Sequence, residues 1–542
     1  MMGWSDHLLV APIALPLVAG ALMLFFDDPR RFIRAGVGIA ATVANLGLSA
    51  ALLLSVDASA DLTKVYLLGS WPAPFGIVLA LDRLSALMLV LTAVLAMAVL
   101  LFSLARWHRV GVYFHPLLQF LLVGLNGAFL TGDLFNLFVF FEVLLAASYG
   151  LVLYGGGIAR IKSGMHYVVI NLAASFLFLI GVSLLYGVTG TLNLSDLALR
   201  VPLIAPGDRM LLETGAAALI VAFLVKAGMW PLSFWLPGTY AAAAAPVAAV
   251  FAIMTKVGIY ALLRFSFLLF GNGAGDSAGF VDQGLLYGGM ATIGFGMLGI
   301  LAAQDMARIA GFAVLISTGT LLAAIGTNRS DVTAGALFYL VISILALGAF
   351  YLLVELVERG REFGADMLAV TREAFGYTEE AIDEPDEVVG PLIPSMMAIL
   401  GLSFLASALL ISGLPPLAGF VAKFAILSGL LRGIAPDGSI AGTDWVLVAL
   451  LILSGLLVLI AMCRAGIQAI WGAEDREVPR VMLLEIAPVV GLLLVCVGLT
   501  IWAGPVLAYM EATARSLHNP ASHVSNVQAA PHIKPLSTES GK

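Results

Sequence analysis

Charge is what this sequence has least of. Only 11% of its 542 residues are Asp, Glu, Lys or Arg, against roughly 25% in an ordinary soluble domain. No polar stretch is long enough for a soluble catalytic domain, which excludes most enzyme architectures. Cysteine is nearly absent as well. Cys463 and Cys496 both fall inside apolar runs, which rules out a disulfide framework or a cysteine-ligated cluster and leaves them as small buried hydrophobes. The seven histidines are scattered without an HExxH or comparable spacing, so no metal site is predicted, and no motif asks for an organic cofactor. A basic stripe with interleaved aromatics is missing too, which argues against nucleic acid as a partner.

What is there is apolar: 61% of the residues are hydrophobic and mean hydropathy is +1.03. Runs of about 20 such residues, each able to cross roughly 30 Å of hydrocarbon, recur along nearly the whole chain. The expected fold is an all-α polytopic bundle of fourteen spans near 8–26, 34–56, 84–105, 114–131, 134–154, 164–187, 211–238, 244–269, 282–303, 307–327, 332–357, 391–433, 444–470 and 481–508. Asp6 in place of a basic leader makes the first run a span rather than a cleaved signal. Lys and Arg are mildly enriched on the side of the odd-numbered connections, which predicts both termini outside. The net charge of −7 is local. Between Glu355 and Gly390 there are eleven acidic and three basic residues, net −8, so the remainder carries about +1. Within that loop "ADMLAVTREAF" can form a surface helix for a partner. Between spans two and three, "TKVYLLGSWPAPFGIVLALD" reads as an outside hairpin, and the polar tail over 511–542 reads as disordered. The GxGxxG match over Gly294–Gly299 lies in an apolar run with no preceding strand and is a helix-packing feature.

Two spans carry helix breakers. The seventh contains "KAGMWPLSFWLPGTY" with Pro231 and Pro237, the twelfth "SGLPPLAGFVAKF" with Pro415 and Pro416. Proline removes a helix hydrogen bond, so both spans should break within the membrane. A pair of broken helices, one in each half, points to an internal repeat with an ion path between the halves.

Four ionisable side chains fall near mid-span. Glu142 lies nine residues after Asp133, about 13 Å deeper along a helix, and Lys226, Lys256 and Lys423 are similarly deep. Each buried charge costs at least about 2.5–3.5 kcal/mol, so four of them must be paired, wetted or used. Burial penalises the charged form of such a group, and a nearby opposite charge favours it. Groups balanced between those pressures suit a proton relay better than covalent catalysis, and no catalytic residue is predicted. Asp133 reads equally as a helix cap or a proton port, and Arg464 and Glu485 near span ends read as interfacial.

In that order and on those spans, "DLFNLFVFFEVLL", "KAGMWPLSFWLP", "TKVGIYALLRF" and "SGLPPLAGFVAKF" resemble the proton-conducting family shared by complex I antiporter-like subunits, membrane-bound hydrogenases and Mrp-type (Pha) multisubunit Na⁺/H⁺ antiporters. The wording of "GSWPAPFGIVLALDRLSALM" and the acidic loop look most like the Mrp D subunit. The resemblance implies three leading helices with the hairpin over 1–110, inverted five-helix repeats over 111–270 and 281–471 with the acidic loop 355–390 on the cytoplasmic side, and a last helix over 481–510. It also implies a Glu142–Lys226 pair, Lys256 as central lysine, Lys423 in the second broken helix, further Mrp-type subunits as partners in a bacterial inner membrane, and H⁺ and Na⁺ as the transported ions. The alternative is a proton-pumping subunit of complex I or a hydrogenase. Ala307 (before Arg308), Ser343, Leu347 and Ser233 stand where many relatives carry Lys or His, so the path between Lys256 and Lys423 is expected to use water and hydroxyls such as Ser317, Thr318 and Ser343.

Overall fold

The computed structural model describes residues 6–26, 31–57, 63–359, 395–433, 440–471 and 481–530. The chain is mostly helical. Besides the short connecting helices Trp107–Val110 and Leu194–Arg200, the helices in chain order are α1 (Ala11–Met23), α2 (Arg31–Asp57), α3 (Arg83–Ser103), α4 (Phe114–Leu130), α5 (Leu134–Val152), α6 (Ile158–Thr189), α7a (Pro206–Ala227) and α7b (Leu236–Ala242), and α8 (Ala245–Leu269). The second half continues with α9 (Asp282–Ala302), α10 (Met306–Gly326), α11 (Ser330–Glu358), α12a (Ser395–Ser412) and α12b (Ala418–Arg432), and α13 (Gly442–Gly466). α14 (Leu483–Ile501), α15 (Ala503–His518) and α16 (Ala521–Gln528) close the chain. Eleven of the described helices are long and apolar enough to cross a membrane, and α1, α4 and α12a are shorter apolar helices. All of them fall on expected spans. α8 and α11 form the centre of the bundle, buried along their whole apolar windows, whereas those of α2, α6 and α14 keep a broad exposed face.

The expected hairpin is present. β1 (Thr63–Leu67) pairs antiparallel with β2 (Val78–Asp82), Thr63 opposite Asp82 and Leu67 opposite Val78. Asp82 then caps α3 by accepting the Ser85 amide proton at 2.9 Å.

Both breaks have one geometry. Gly228 (φ +80°) and Gly413 (φ +75°) adopt the left-handed conformation that glycine tolerates without a Cβ penalty. At the first break the amides of Gly228 and Met229 both donate to the Leu224 carbonyl; at the second those of Gly413 and Leu414 both donate to Leu409. A cis prolyl bond follows three residues after each glycine, at Trp230–Pro231 and Pro415–Pro416. Pro237 lies within the first turn of α7b and so belongs to a helix start rather than to the break.

The α9–α10 contact is set by glycine. A Cβ on Gly289 would lie 2.4 Å from the Ala323 nitrogen, and one on Gly299 would strike the Phe312 ring. Gly296 meets Ile316 in the same way, whereas Gly294 faces open space, so two of the three motif glycines serve packing.

Three expectations are revised. Residues 511–528, expected to be disordered, continue α15 and form α16; Met510, Ala514, Leu517, Val524 and Val527 recur at helical spacing and are buried, which supplies the apolar face that overall polarity concealed. Glu485 is not interfacial but fully enclosed, paired with Arg359 at 2.6 Å and Arg106 at 3.6 Å. Cys463 is exposed on the outer face of α13, while Cys496 is buried. Arg464, by contrast, reaches across to α9 and donates to the carbonyls of Leu301 (3.0 Å) and Ala303, capping that helix end. The acidic loop beyond residue 359, with its "ADMLAVTREAF" stretch, lies outside the described residues.

Candidate functional site

Helix α5 begins on Asp133, whose carboxylate accepts from the amides of Phe135 (2.8 Å) and Asn136 (3.0 Å). That is N-cap geometry. Two and a half turns deeper, Glu142 accepts a short hydrogen bond from the Ser175 hydroxyl of α6, at 2.5 Å. The expected Glu142–Lys226 partnership is therefore not a contact in this conformation. The Lys226 ammonium has no hydrogen-bond partner among the described residues; it lies over the Phe141 ring, 5.1 Å from its centre, and within the electrostatic reach of Glu142.

Lys226 sits in the last turn of α7a, directly before the break. A cavity of about 20 Å³ adjoins it, bordered by Phe141, Tyr167, Asn171, Trp235 and Met254. That volume accommodates the centre of one water, whose natural partners are polar groups otherwise unmatched. The Lys226 ammonium and the Trp235 indole N–H on this wall are two such donors.

Lys256, in the middle of α8, is fully buried. Its ammonium donates to Ser317 Oγ at 2.9 Å and Thr318 Oγ1 at 3.4 Å, both on α10. These are two of the three hydroxyls singled out in the sequence. Tyr339 of α11 adjoins Ser317 and Thr320 and extends this polar group onto a third helix. Ser343, the third, is buried but donates to the Leu340 carbonyl of its own helix at 3.0 Å, with no bond to either lysine.

Lys423 lies on α12b, after its break, whereas Lys226 precedes the corresponding one. Its ammonium donates to the Ser412 carbonyl at 2.9 Å, one of the groups freed where α12a ends. Gly455 of α13 allows the approach, since a Cβ there would come within 3.3 Å of the ammonium.

The three lysines are thus enclosed among hydroxyls, a carbonyl and an aromatic face, with no carboxylate in contact among the described residues. Ser175, Tyr339 and the Ser412 carbonyl escaped the sequence reading. Ser175 follows Asn171 by one turn on α6, and that small polar face was the available signal.

With this geometry in view, comparisons with known proteins fall into line. Residues 131–450 match the family model described as "NADH:quinone oxidoreductase/Mrp antiporter, TM". The probable K⁺/H⁺ antiporter D subunit of Rhizobium meliloti (strain 1021) is 55% identical over 98% of this chain and 99% of its own length. The Na⁺/H⁺ antiporter D subunit of Bacillus subtilis (strain 168) is 34% identical over 96% of this chain and 99% of its own. In the structure of the Mrp complex from Dietzia sp. DQ12-45-1b, one chain superposes with a TM-score of 0.79 over 97% of this chain and all of that one, at 24% identity, which speaks for the fold. By extended similarity and by the match over more than half its length, this chain belongs to the NADH:quinone oxidoreductase/Mrp antiporter family of membrane proteins.

Proposed function

We propose that this chain is the proton-translocating D-type subunit of a multisubunit monovalent cation/proton antiporter. It works with other Mrp-type subunits in a bacterial inner membrane, crossing it fourteen times with three leading helices, two five-helix inverted repeats and a last helix, and with both termini outside. The observation that carries the reading is the set of three enclosed lysines, each on a different helix and none locked to a carboxylate among the described residues. A static buried ion pair would hold its charges in contact. Here Glu142 is held by Ser175 instead, leaving the Lys226 ammonium free to respond when the acid changes charge.

The matching backbone geometry of the two breaks supports the repeat. In the proposed cycle a charged Glu142 keeps a proton on Lys226. Neutralising the acid lets that proton pass toward Lys256 and, over the Ser317, Thr318 and Tyr339 hydroxyls, toward Lys423. Charge repulsion along the row then drives release. Partner subunits complete the cation path. The relatives named above are K⁺/H⁺ and Na⁺/H⁺ antiporter subunits, so the cation is decided by assaying antiport with each.

Glu142→Gln and Lys226→Ala are expected to abolish antiport in everted vesicles while the complex still assembles. Full activity in either variant overturns the proposal. Flavin, iron–sulfur clusters or quinone reduction in the purified complex would move the chain to a redox-driven pump instead.

A further inference from the structure

Helix α8 carries, beyond Lys256, two polar groups that the relay does not use. Lys256, Tyr260 and Arg264 follow at one-turn spacing and so share a face leading from mid-membrane to the hairpin side. The Tyr260 hydroxyl donates to the Phe129 carbonyl at 2.6 Å and accepts from Arg264 Nε at 3.2 Å. Arg264 in turn grips Asp82 with both terminal nitrogens, one at 2.5 Å from Oδ2 and the other on Oδ1, and donates to Ser85 at 3.0 Å. Asp82 therefore does two tasks, capping α3 and neutralising a buried guanidinium on another helix.

Small cavities lie on either side of this pair. One, of about 10 Å³, has Thr131, Tyr260 and Arg264 in an otherwise apolar wall that includes Leu134, Leu137 and Phe223. The other, of about 20 Å³, is bordered by Thr63, Asp82, Arg264, Ser522 and His523, a wall of hydroxyls, carboxylate, guanidinium and imidazole that suits water or a hydrated proton. Its roof is the C-terminal segment. His523 of α16 lies with Nδ1 3.4 Å from Thr63 Oγ1, and Val527 and Ala530 pack on Leu67, Val78 and Ala80 of the hairpin. A buried ion pair adds little stability over apolar residues of the same volume, so its placement between two water-sized cavities on the helix of the central lysine calls for another role.

We propose that this column is the outlet of the relay on the hairpin side, with the Asp82–Arg264 pair as its gate and α16 as its lid. The inference rests on the relay reading above. A proton leaving the Lys256 ammonium crosses by water to the remaining lone pair of the Tyr260 hydroxyl, whose own proton turns away from the Phe129 carbonyl and leaves through water in the inner cavity. It reaches the Asp82 carboxylate, loosens the grip of Arg264 by neutralising it, and departs from Asp82 to water in the outer cavity.

The test uses the whole complex in everted vesicles. Tyr260→Phe keeps the ring and removes the hydroxyl, and Asp82→Asn keeps the cap and removes the charge. Each is expected to lower antiport at least tenfold with assembly intact on a native gel. Should Asp82→Asn fail to assemble, Tyr260→Phe decides. In right-side-out vesicles, which present the hairpin side to the medium, and in a Cys463→Ser background, Thr63→Cys is expected to resist a membrane-impermeant maleimide in the full chain and to react once the chain is ended at Pro520. Variants that assemble and transport at the parental rate overturn the outlet, and equal labelling with and without α16 overturns the lid. Lys256→Met separates the two levels: if it too transports normally the relay itself falls, and if it is inactive beside a fully active Tyr260→Phe only the outlet falls.

Discussion

Replacing Lys256 by Met tests whether the central lysine works or merely stabilises. Met has an unbranched side chain of similar length and leaves the packing nearly unchanged. It removes an ammonium held by one good hydroxyl bond, at 2.9 Å to Ser317, and one long bond, at 3.4 Å to Thr318. A hydrogen bond to a charged group contributes about 1.5–3 kcal/mol, while holding the charge at mid-membrane costs at least about 2.5–3.5 kcal/mol. The two nearly cancel, so Lys256→Met should change stability by no more than about 1 kcal/mol. Ser317→Ala behaves differently, because it keeps the charge and strips its better partner, at a cost of about 1.5–3 kcal/mol. The expected pattern is a complex with Lys256→Met that melts like the parent and transports nothing, and one with Ser317→Ala that melts lower and transports slowly. Thermal denaturation of the detergent-solubilised complex, read beside antiport in everted vesicles, measures both. Lys256→Met retaining more than half the parental rate, or melting well below Ser317→Ala, would refute the reasoning.

Glu485→Gln leaves Arg359 its Glu355 pairing but removes the enclosed carboxylate that it shares with the part-exposed Arg106, and should destabilise the complex by about 1–2 kcal/mol, read as a lower melting temperature without a change in cation selectivity. Gly289→Leu drives a side chain into the α10 backbone 2.4 Å away and should cost about 1–3 kcal/mol or more by overpacking, seen as reduced assembly, whereas Gly294→Leu, in open space, should be tolerated. Burial beside Phe267 pushes His518 down to about 4, against the pull of Asp331, and burial together with Arg264 pushes His523 to about 4, against Asp82. Both imidazoles are then neutral in the fold but take up protons near pH 6.5 once released, so the C-terminal segment is fully docked above that pH and loosens as pH falls from about 6.5 toward 4. Each histidine contributes about 1–2 kcal/mol after allowance for partial exposure. Hydrogen exchange of residues 515–530 should accelerate over that window, and unchanged protection at pH 5 would contradict it.

Much of this molecule is legible in one dimension because membrane insertion acts on composition. Apolar length marks each span, proline and glycine mark both breaks, and rarity alone flags Glu142 and the three lysines. The misread elements share another feature. The tail looked disordered because its apolar residues are few, although they recur at helical spacing; Glu485 looked interfacial because distance from a span end says nothing about what packs over it. Depth can be counted along a helix, but the direction a side chain faces depends on its neighbours.

The sequence by itself determined the class of protein, the spans, the broken helices and the four deep ionisable groups, since each follows from the cost of placing polar atoms in hydrocarbon. Only the tertiary structure decided the partners: Ser175 for Glu142, Ser317 and Thr318 for Lys256, the Ser412 carbonyl for Lys423, and Asp82 for Arg264 across 182 residues of chain. Those choices arise from how helices distant in sequence rotate and pack against one another, and no local pattern encodes that.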